Sequence, residues 1–517
     1  MSAADLAIWR QSLEVARSST ELLDMLLSPE DAAARIQTLP GETIYRLIQR
    51  IGLEDCTELL PLCSGEQVQA CIDFDGWIGD LPAIERIDPW MRALMVSGHE
   101  TLVERLLDLD DALLNWIVLE SCEVHVIEDP DSFEAPDLEH VLTLDQRLCI
   151  VFPDPGERDM PVKLFLDIFM RENTEHCYNL LVFAGGALKS TLEDDSFRWR
   201  QGRLADLGFV DPIEALGIYT APRADQIEGA RRSAPPLVQS DTLTRSLRGD
   251  ERLGAAMAQL RANVRTTVAN ELVYVCNTAL SADRVPLWDS EAQELTLRRV
   301  RAGLMLGLDA LSSAPGVEGD AEVLGRVPVA LIFRTGYART LDAARLALKS
   351  RRRGLLVGPG GPLDALDQPL LKTWTEALTD RHPHLPGDRT PRTAEDLSRM
   401  RGFAEVVGSL VDFPGGGRPE TAGLCAWVLT QLVRDVLGLE DSGPLPLSHL
   451  ATAHRALFAD GAVTETARAA IFAAAERKGL VHRPTVEFLL AWAAEELAQQ
   501  TPENLEARFC APLVLGP

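Results

Sequence analysis

Apolar residues recur along most of this chain at intervals of three or four, the spacing of one buried face on an α-helix. After Pro484, apolar side chains occupy positions 486, 489, 490, 493 and 497. A second stripe begins at Leu424 and runs out before Gly438, a residue suited to ending a helix. The pattern predicts a mainly α protein.

Three serines in the front region each precede an acid or amide by three residues, which is the capping-box arrangement at a helix N-terminus. They are Ser28, Ser64 and Ser97, separated by 36 and 33 residues. That spacing is typical of stacked helix pairs. It predicts an N-terminal superhelix of short helices, with three unrelated, well-capped helices as the alternative.

Two short segments interrupt the helical pattern. Cys122–Ile127 alternates as a strand does, and Leu148–Phe152 is a second candidate. We expect the two to pair as a minor β ribbon, with the acidic stretch Glu128–Glu139 as the loop between them. From Met160 to Lys189, the apolar positions predict one long helix.

A length of 517 residues favours about two to four domains. Residues 221–240 are polar and Pro-rich, and they form the best candidate linker. One or two helical domains are expected to follow the superhelix. The predicted division is an acidic helical-repeat domain at 1–125, a helical domain with an acidic loop and an Arg-rich string at 126–220, the linker at 221–240, a helical middle domain at 241–390 and a C-terminal helical domain at 391–517.

The charge of the chain is concentrated at its front. Residues 1–230 hold 44 acidic and 17 basic side chains, whereas the remainder holds 34 and 33. An anionic front region repels nucleic acid and anionic lipid, and it favours a basic protein partner. The densest cationic patch contains Arg351, Arg352 and Arg353. It is expected either to end a helix favourably or to dock on the acidic front.

The spacing of the cysteines and the length of the apolar runs indicate the cellular compartment of the protein. Nine cysteines are scattered without a CxxC pair, which favours reduced, buried thiols. The longest apolar runs are shorter than the roughly 18–20 residues that span a membrane, and the start of the chain lacks the features of a secretory signal. Only 5 of the 50 basic residues are Lys, which suggests a GC-rich bacterial gene. We expect a cytoplasmic bacterial protein.

The most distinctive string runs from Arg198 to Phe209. On a helix, Arg200 and Arg203 lie one turn apart, and Asp206 continues that face. The favoured interpretation is a salt-bridge network that locks this helix against the acidic front domain. The alternatives are a site for an anion or a phosphorylated partner, built on guanidinium groups, and an isolated exposed face.

This string, continued through residues 214–219, resembles an uncharacterised family of bacterial proteins of about this length, of the delta-proteobacterial type. The resemblance implies a mostly helical cytoplasmic protein and supplies no catalytic residue. Separately, Pro29–Ile51 resembles the short-helix superhelix at the front of MgtE-type magnesium transporters. That similarity is local and implies shape rather than transport.

Several motifs superficially suggest bound ligands. Glu172 and His176 are four residues apart, but no partner motif supplies further metal ligands. The glycines of Gly185–Thr191 fail the P-loop spacing, and Leu355–Pro362 lacks the third glycine of a dinucleotide loop. His382 and His384 have no further zinc ligands near them in the sequence. No metal and no cofactor are therefore expected.

The acidic front region and the regularly spaced capping patterns favour a non-catalytic interaction or scaffold protein. An enzyme with a pocket assembled from Arg198, Arg200, Arg203 and His176 is the first alternative, since catalytic groups need only meet in space. A nucleotide-binding regulatory protein that uses the glycine loops is the second. The sequence leaves the oligomeric state open.

Overall fold

The fold is known from a computed structural model. It describes residues 3–127, 141–144, 147–152, 160–229, 251–358, 361–414, 417–439, 441–502 and 504–517. The acidic loop predicted at residues 128–139 and the part of the predicted linker from residue 230 onward lie outside these ranges.

The described part of the chain is mainly helical, as the apolar spacing predicted. None of its helices is both long and apolar enough to cross a membrane. The helices are α1 (Ala3–Val15), α2 (Ser19–Leu27), α3 (Ala32–Ile36), α4 (Gly41–Ile51), α5 (Gly65–Asp75), α6 (Ile84–Ser97), α7 (His99–Leu107), α8 (Asp111–Ser121), α9 (Met160–Glu172), α10 (Thr174–Gly186), α11 (Lys189–Asp206), α12 (Pro212–Ala215), α13 (Ala224–Glu228), α14 (Glu251–Ala258), α15 (Ala262–Asp283), α16 (Ser290–Leu311), α17 (Val317–Arg326), α18 (Val329–Arg352), α19 (Pro369–Thr379), α20 (Ala394–Val411), α21 (Leu424–Val436), α22 (Leu450–Leu457), α23 (Glu465–Arg477) and α24 (Arg483–Leu497).

Strands are short. The predicted ribbon is confirmed, because β3 pairs antiparallel with β5 in the register Glu123 to Val151, and a third strand, β4, covers the other edge of β5. The strands are β1 (Trp77–Ile78), β2 (Leu81–Pro82), β3 (Glu123–Val126), β4 (Val141–Leu144), β5 (Leu148–Val151), β6 (Val357–Gly358), β7 (Gly361–Pro362), β8 (Leu445–Pro446), β9 (Phe458–Ala459), β10 (Ala462–Val463) and β11 (Leu515–Gly516).

The chain forms two compact units. The first comprises Met1–Ile218, Ala230–Val300 and Gly316–Ala330, and the second comprises the remaining residues. The first unit holds 53 acidic and 27 basic residues, and the second holds 25 and 23. The charge asymmetry of the sequence therefore follows the structural units, at −26 and −2. The five-part division and the repeat arrangement stay predictions.

Each unit has its own apolar core. That of the first unit includes the fully buried Trp90 and Phe165 and extends to Leu280 on α15. In the second unit, α16 and α18 approach so closely that a Cβ on Gly336 would lie 1.9 Å from the carbonyl oxygen of Gly303. Only glycine allows two helix backbones to meet at that distance.

Of the three predicted capping boxes at the front, one forms. The Ser64 hydroxyl accepts from the Gln67 backbone, and the Gln67 side chain accepts from the Ser64 amide. Ser28 instead ends α2 and Ser97 ends α6, and each donates its hydroxyl to a carbonyl one turn back. A serine hydroxyl can also donate to the carbonyl four residues back in its own helix, so the spacing alone did not distinguish the two roles.

The single helix predicted from Met160 to Lys189 is wrong. It divides into α9 and α10 at Asn173, whose side chain accepts from the His176 amide and so caps the second helix. Asn competes for backbone hydrogen bonds within a helix, which makes it a cap. Similarly, the Asp289 carboxylate accepts from the Ala292 amide at the start of α16.

Candidate functional site

The arginine string lies on α11 and packs against the C-terminal end of α5 within the first unit. The Arg203 guanidinium donates to both oxygens of Asp73, from Nε at 2.6 Å and from Nη2 at 2.9 Å. Its Nη2 also donates to Asp110 Oδ2 at 2.9 Å. One guanidinium thus joins α11 to α5 and to the start of α8, where Asp110 is the N-cap.

The acidic partner of this network is buried. Asp73 is 2% exposed, and its carboxylate also accepts from Gln69. Burial raises the pKa of Asp73, and the bonds from Arg203 oppose that rise. Burial lowers the pKa of Arg203, but Asp73 and Asp110 outweigh it and the net pKa is raised. The arginine is therefore held charged beside the carboxylate.

Arg200, one turn earlier on α11, is also buried, at 7% exposure. Its Nε donates to the Asp73 carbonyl at 2.8 Å, and its guanidinium carbon lies 4.7 Å from the centroid of Trp77. Burial lowers the pKa of Arg200 to about 10, while Asp73 and Asp80 act against burial. The side chain thus remains protonated at neutral pH.

A second buried acid follows on the same helix. Asp75 accepts from Trp90 Nε1 at 2.7 Å and forms an ion pair with Arg86. The Arg86 guanidinium lies over the ring of Trp288, 4.2 Å from its centroid. The end of α5 therefore carries two carboxylates that bind arginines from different parts of the first unit.

Beside this network lies a cavity of about 120 Å³. Its walls come from the end of α5, the β1–β2 hairpin, α11, the segment after it and the end of α15. The lining residues are Phe74, Trp77, Gly79, Asp80, Arg200, Gln201, Leu204, Phe209, Val210, Pro212, Leu280, Ser281, Arg284, Val285, Pro286 and Leu287.

The other residues predicted for this site lie elsewhere. Arg198 is 75% exposed in its side chain and pairs with Asp195, while Asp206 is exposed at the end of α11. His176 and Glu172 are exposed and belong to different helices. Of the four side chains proposed to assemble an enzyme pocket, Arg200 alone lines the described cavity.

The cationic run 351–353 lies at the end of α18 in the second unit. Arg351 donates to the carbonyl and hydroxyl of Thr379, where α19 ends. Arg352 and Arg353 are exposed. Arg351 thus satisfies the C-terminus of a neighbouring helix, as cations at helix C-termini do.

Three side chains of the remaining motifs have structural partners, whereas the glycine loop at 355–362 includes residues 359–360, which lie outside the described ranges. Lys189 pairs with Glu120 and lies over Trp116, so its amine is already engaged. His382 bonds to Tyr337 at 2.9 Å, and His384 faces the exposed Asp388. In the part of the chain that the structure describes, no group of three or more His, Cys, Asp or Glu side chains could hold a metal ion.

Sequence reasoning missed Asp73, Asp75 and Asp110 as the partners of the arginines. A signal was present, since Asp73 and Asp75 interrupt an apolar run from Cys71 to Ile78. Acids inside an apolar helix end are costly unless cations compensate them. Their position within this apolar run would have indicated carboxylates paired with cations.

Comparisons place the chain in a family. No curated protein and no solved structure matches this sequence. Residues 5–415 match the model of a family of unknown function, DUF6178, and this range includes the arginine string, its acidic partners and the cavity. The chain belongs to this family of unknown function.

Proposed function

We propose that this protein is a non-catalytic interaction protein whose acidic first unit binds a basic protein partner. The observation that carries the proposal is the division of charge between the two units, −26 against −2. A field of that size accelerates encounter with a positively charged surface and disfavours nucleic acid.

Exposed acids without an ion pair among the described residues support this choice. Glu54, Asp55 and Glu58 lie on and just after one short turn of 3-10 helix in the first unit, and all three are exposed. Their charges project into water, so they contribute to the external field rather than to internal pairs.

A cytoplasmic location in a bacterium belongs to the same proposal. Its support is that all nine cysteines are free and buried, as expected for a reducing compartment. The superhelical stacking of the front helices, similar to the MgtE type, is likewise proposed as the shape that presents the acidic surface.

The test compares two variants that lose equal charge. Glu54→Gln/Asp55→Asn/Glu58→Gln neutralises the first unit, and Glu376→Gln/Glu476→Gln/Glu495→Gln neutralises exposed acids of the second. The probe is a 20-residue peptide rich in Lys and Arg, and its association rate with the full-length protein is measured by stopped-flow fluorescence at several NaCl concentrations.

We expect slower association for the first-unit variant only, and a rate that falls as salt screens the field over about 10 Å at 0.1 M. Equal effects of the two variants, or an association rate independent of salt, would contradict the proposal.

A further inference from the structure

The guanidinium of Arg200 has donors that no described residue accepts from. Its Nε is bonded to the Asp73 carbonyl, and no other hydrogen bond or ion pair of this side chain occurs among the described residues. The two terminal nitrogens are therefore left for something else. Because an Arg side chain stays charged at physiological pH, these donors are available to an acceptor that enters the adjoining cavity.

A second donor lies in the same wall. Trp77 is 2% exposed, and its indole Nε1 is buried without a hydrogen-bond partner in the described structure. Its ring stacks beneath the Arg200 guanidinium and holds it in place. Buried polar groups in native proteins are nearly always satisfied, so the unpartnered indole nitrogen beside the available donors of Arg200 points to an acceptor at this wall.

The cavity is large enough for a small molecule and mostly apolar. Its volume of about 120 Å³ compares with the roughly 10–15 Å³ that one water needs. Ten of the sixteen lining residues are apolar, and they include Phe74, Leu204 and Phe209. Such a wall disfavours a fully hydrated ion such as free phosphate and favours a molecule with an apolar body.

The charges at the rim are mixed, with a positive balance. Arg284 lines the cavity, is exposed and has no ion pair among the described residues; Asp80 also lines it and is exposed on the β1–β2 turn. Arg203 lies nearby but is committed to Asp73 and Asp110. Two arginines against one carboxylate make this cavity cationic within a unit of net charge −26.

We propose that this cavity is a binding site for a small organic carboxylate with an apolar body. The carboxylate accepts from the terminal nitrogens of Arg200, a pairing that planar guanidinium groups favour. The apolar body packs against Phe74, Phe209 and Leu204. This site is independent of the acidic surface proposed above, and either proposal can fail alone.

The experiment measures binding to the full-length protein by ligand-observed NMR titration. The probes are acetate, isovalerate and phenylacetate, with phenylacetamide as the uncharged analogue and inorganic phosphate as the hydrated anion. We expect affinity to rise with the apolar body of the carboxylate. Phenylacetamide and phosphate should each bind at least about tenfold more weakly than phenylacetate. Phenylacetamide lacks the negative charge, and phosphate lacks the apolar body.

Variants locate the site. Arg200→Lys keeps the charge but loses the planar guanidinium that donates two parallel hydrogen bonds to a carboxylate. It should weaken phenylacetate binding roughly tenfold or more. Val210→Trp fills the cavity from its partly exposed wall and should abolish binding without touching Arg200. Arg198→Lys, an exposed change on the same helix, is the control and should leave binding unchanged.

Circular dichroism and thermal melting establish that each variant folds. The proposal is overturned if no carboxylate of the series binds, if phenylacetamide or phosphate binds as well as phenylacetate, or if Val210→Trp folds and still binds normally.

Discussion

Asp73 is a carboxylate held almost entirely away from water, and Arg203 compensates its charge with two hydrogen bonds. Such a pair contributes little net stability relative to an apolar pair, but removal of one partner leaves an uncompensated buried charge. At the scale of single residues, this asymmetry makes Arg203 the most informative position on α11.

We predict that Arg203→Leu lowers the free energy of unfolding by roughly 3 kcal/mol, because the Asp73 carboxylate then lies buried without its cation. Urea titration measures the change. Adding Asp73→Asn should restore part of the loss, since the stranded charge is removed. Arg198→Leu on the same helix is the control and should change the free energy by less than about 0.5 kcal/mol.

The cysteines give a second prediction at this scale. Burial raises the pKa of Cys56, Cys63 and Cys177 to about 12 in each case. The reactive thiolate of these groups therefore forms only as the pH approaches 12. In the native protein at pH 8, iodoacetamide should therefore label them far more slowly than in denaturant, where each thiol ionises near 8.5 and all should react. Peptide mass spectrometry quantifies the labelling, and rapid native labelling that follows a pKa near 8.5 would contradict the prediction.

At the scale of elements, capping and close approach decide how the helices begin and meet. The capping box of Ser64 and Gln67 satisfies two backbone amides. Ser28 and Ser97 instead each donate a hydroxyl hydrogen bond to a carbonyl of the helix that they end. The three serines share one sequence pattern but have different structural roles.

We predict that Ser64→Ala costs about 1 kcal/mol of stability, the usual value of an N-cap. Ser28→Ala and Ser97→Ala should each cost less than about 0.5 kcal/mol, because neither occupies an N-cap. Thermal unfolding of the three variants compares them directly, and equal losses would mean that all three act as caps.

The crossing of α16 and α18 gives the other prediction at this scale. A Cβ on Gly336 would lie 1.9 Å from the Gly303 oxygen and 2.5 Å from the Gly307 nitrogen, both backbone atoms that cannot move aside. Gly336→Ala should therefore destabilise the second unit by about 3 kcal/mol or more, through overpacking. The control is Gly402→Ala on α20, where a Cβ meets nothing within 4 Å; it should be neutral or stabilising by up to about 1 kcal/mol. Chemical unfolding of the two variants tests the contrast.

At the scale of the whole molecule, the two units differ chiefly in charge, and like charges on one compact body repel. Raising ionic strength from 0.01 to 0.15 M shortens the screening length from about 30 Å to about 8 Å.

We predict that this change stabilises the first unit more than the second. Hydrogen exchange with mass spectrometry reports each unit separately: peptides of α4, α5 and α8 should gain protection with salt, and peptides of α21 and α24 should change little. Equal responses from the two units would show that the net charge of the first unit has no effect on its folding.

The helical class, the β3–β5 pair, the burial of the cysteines and the location of the charge were all predictable from the amino-acid sequence. These follow from local spacing or from composition, which do not depend on how distant segments meet. The capping pattern at Ser64 is visible in the sequence, but the same spacing at Ser28 and Ser97 forms no box, so the pattern alone did not select Ser64.

The role of the arginine string depends on contacts between distant segments. Arg200 and Arg203 meet Asp73 across more than 120 residues of sequence, and no local pattern specifies such a pairing. The predicted long helix divides at Asn173 because its side chain accepts a hydrogen bond from the His176 amide and so caps a new helix. The cavity exists because five separate segments leave a space between them, and packing in three dimensions alone determines where such a space lies.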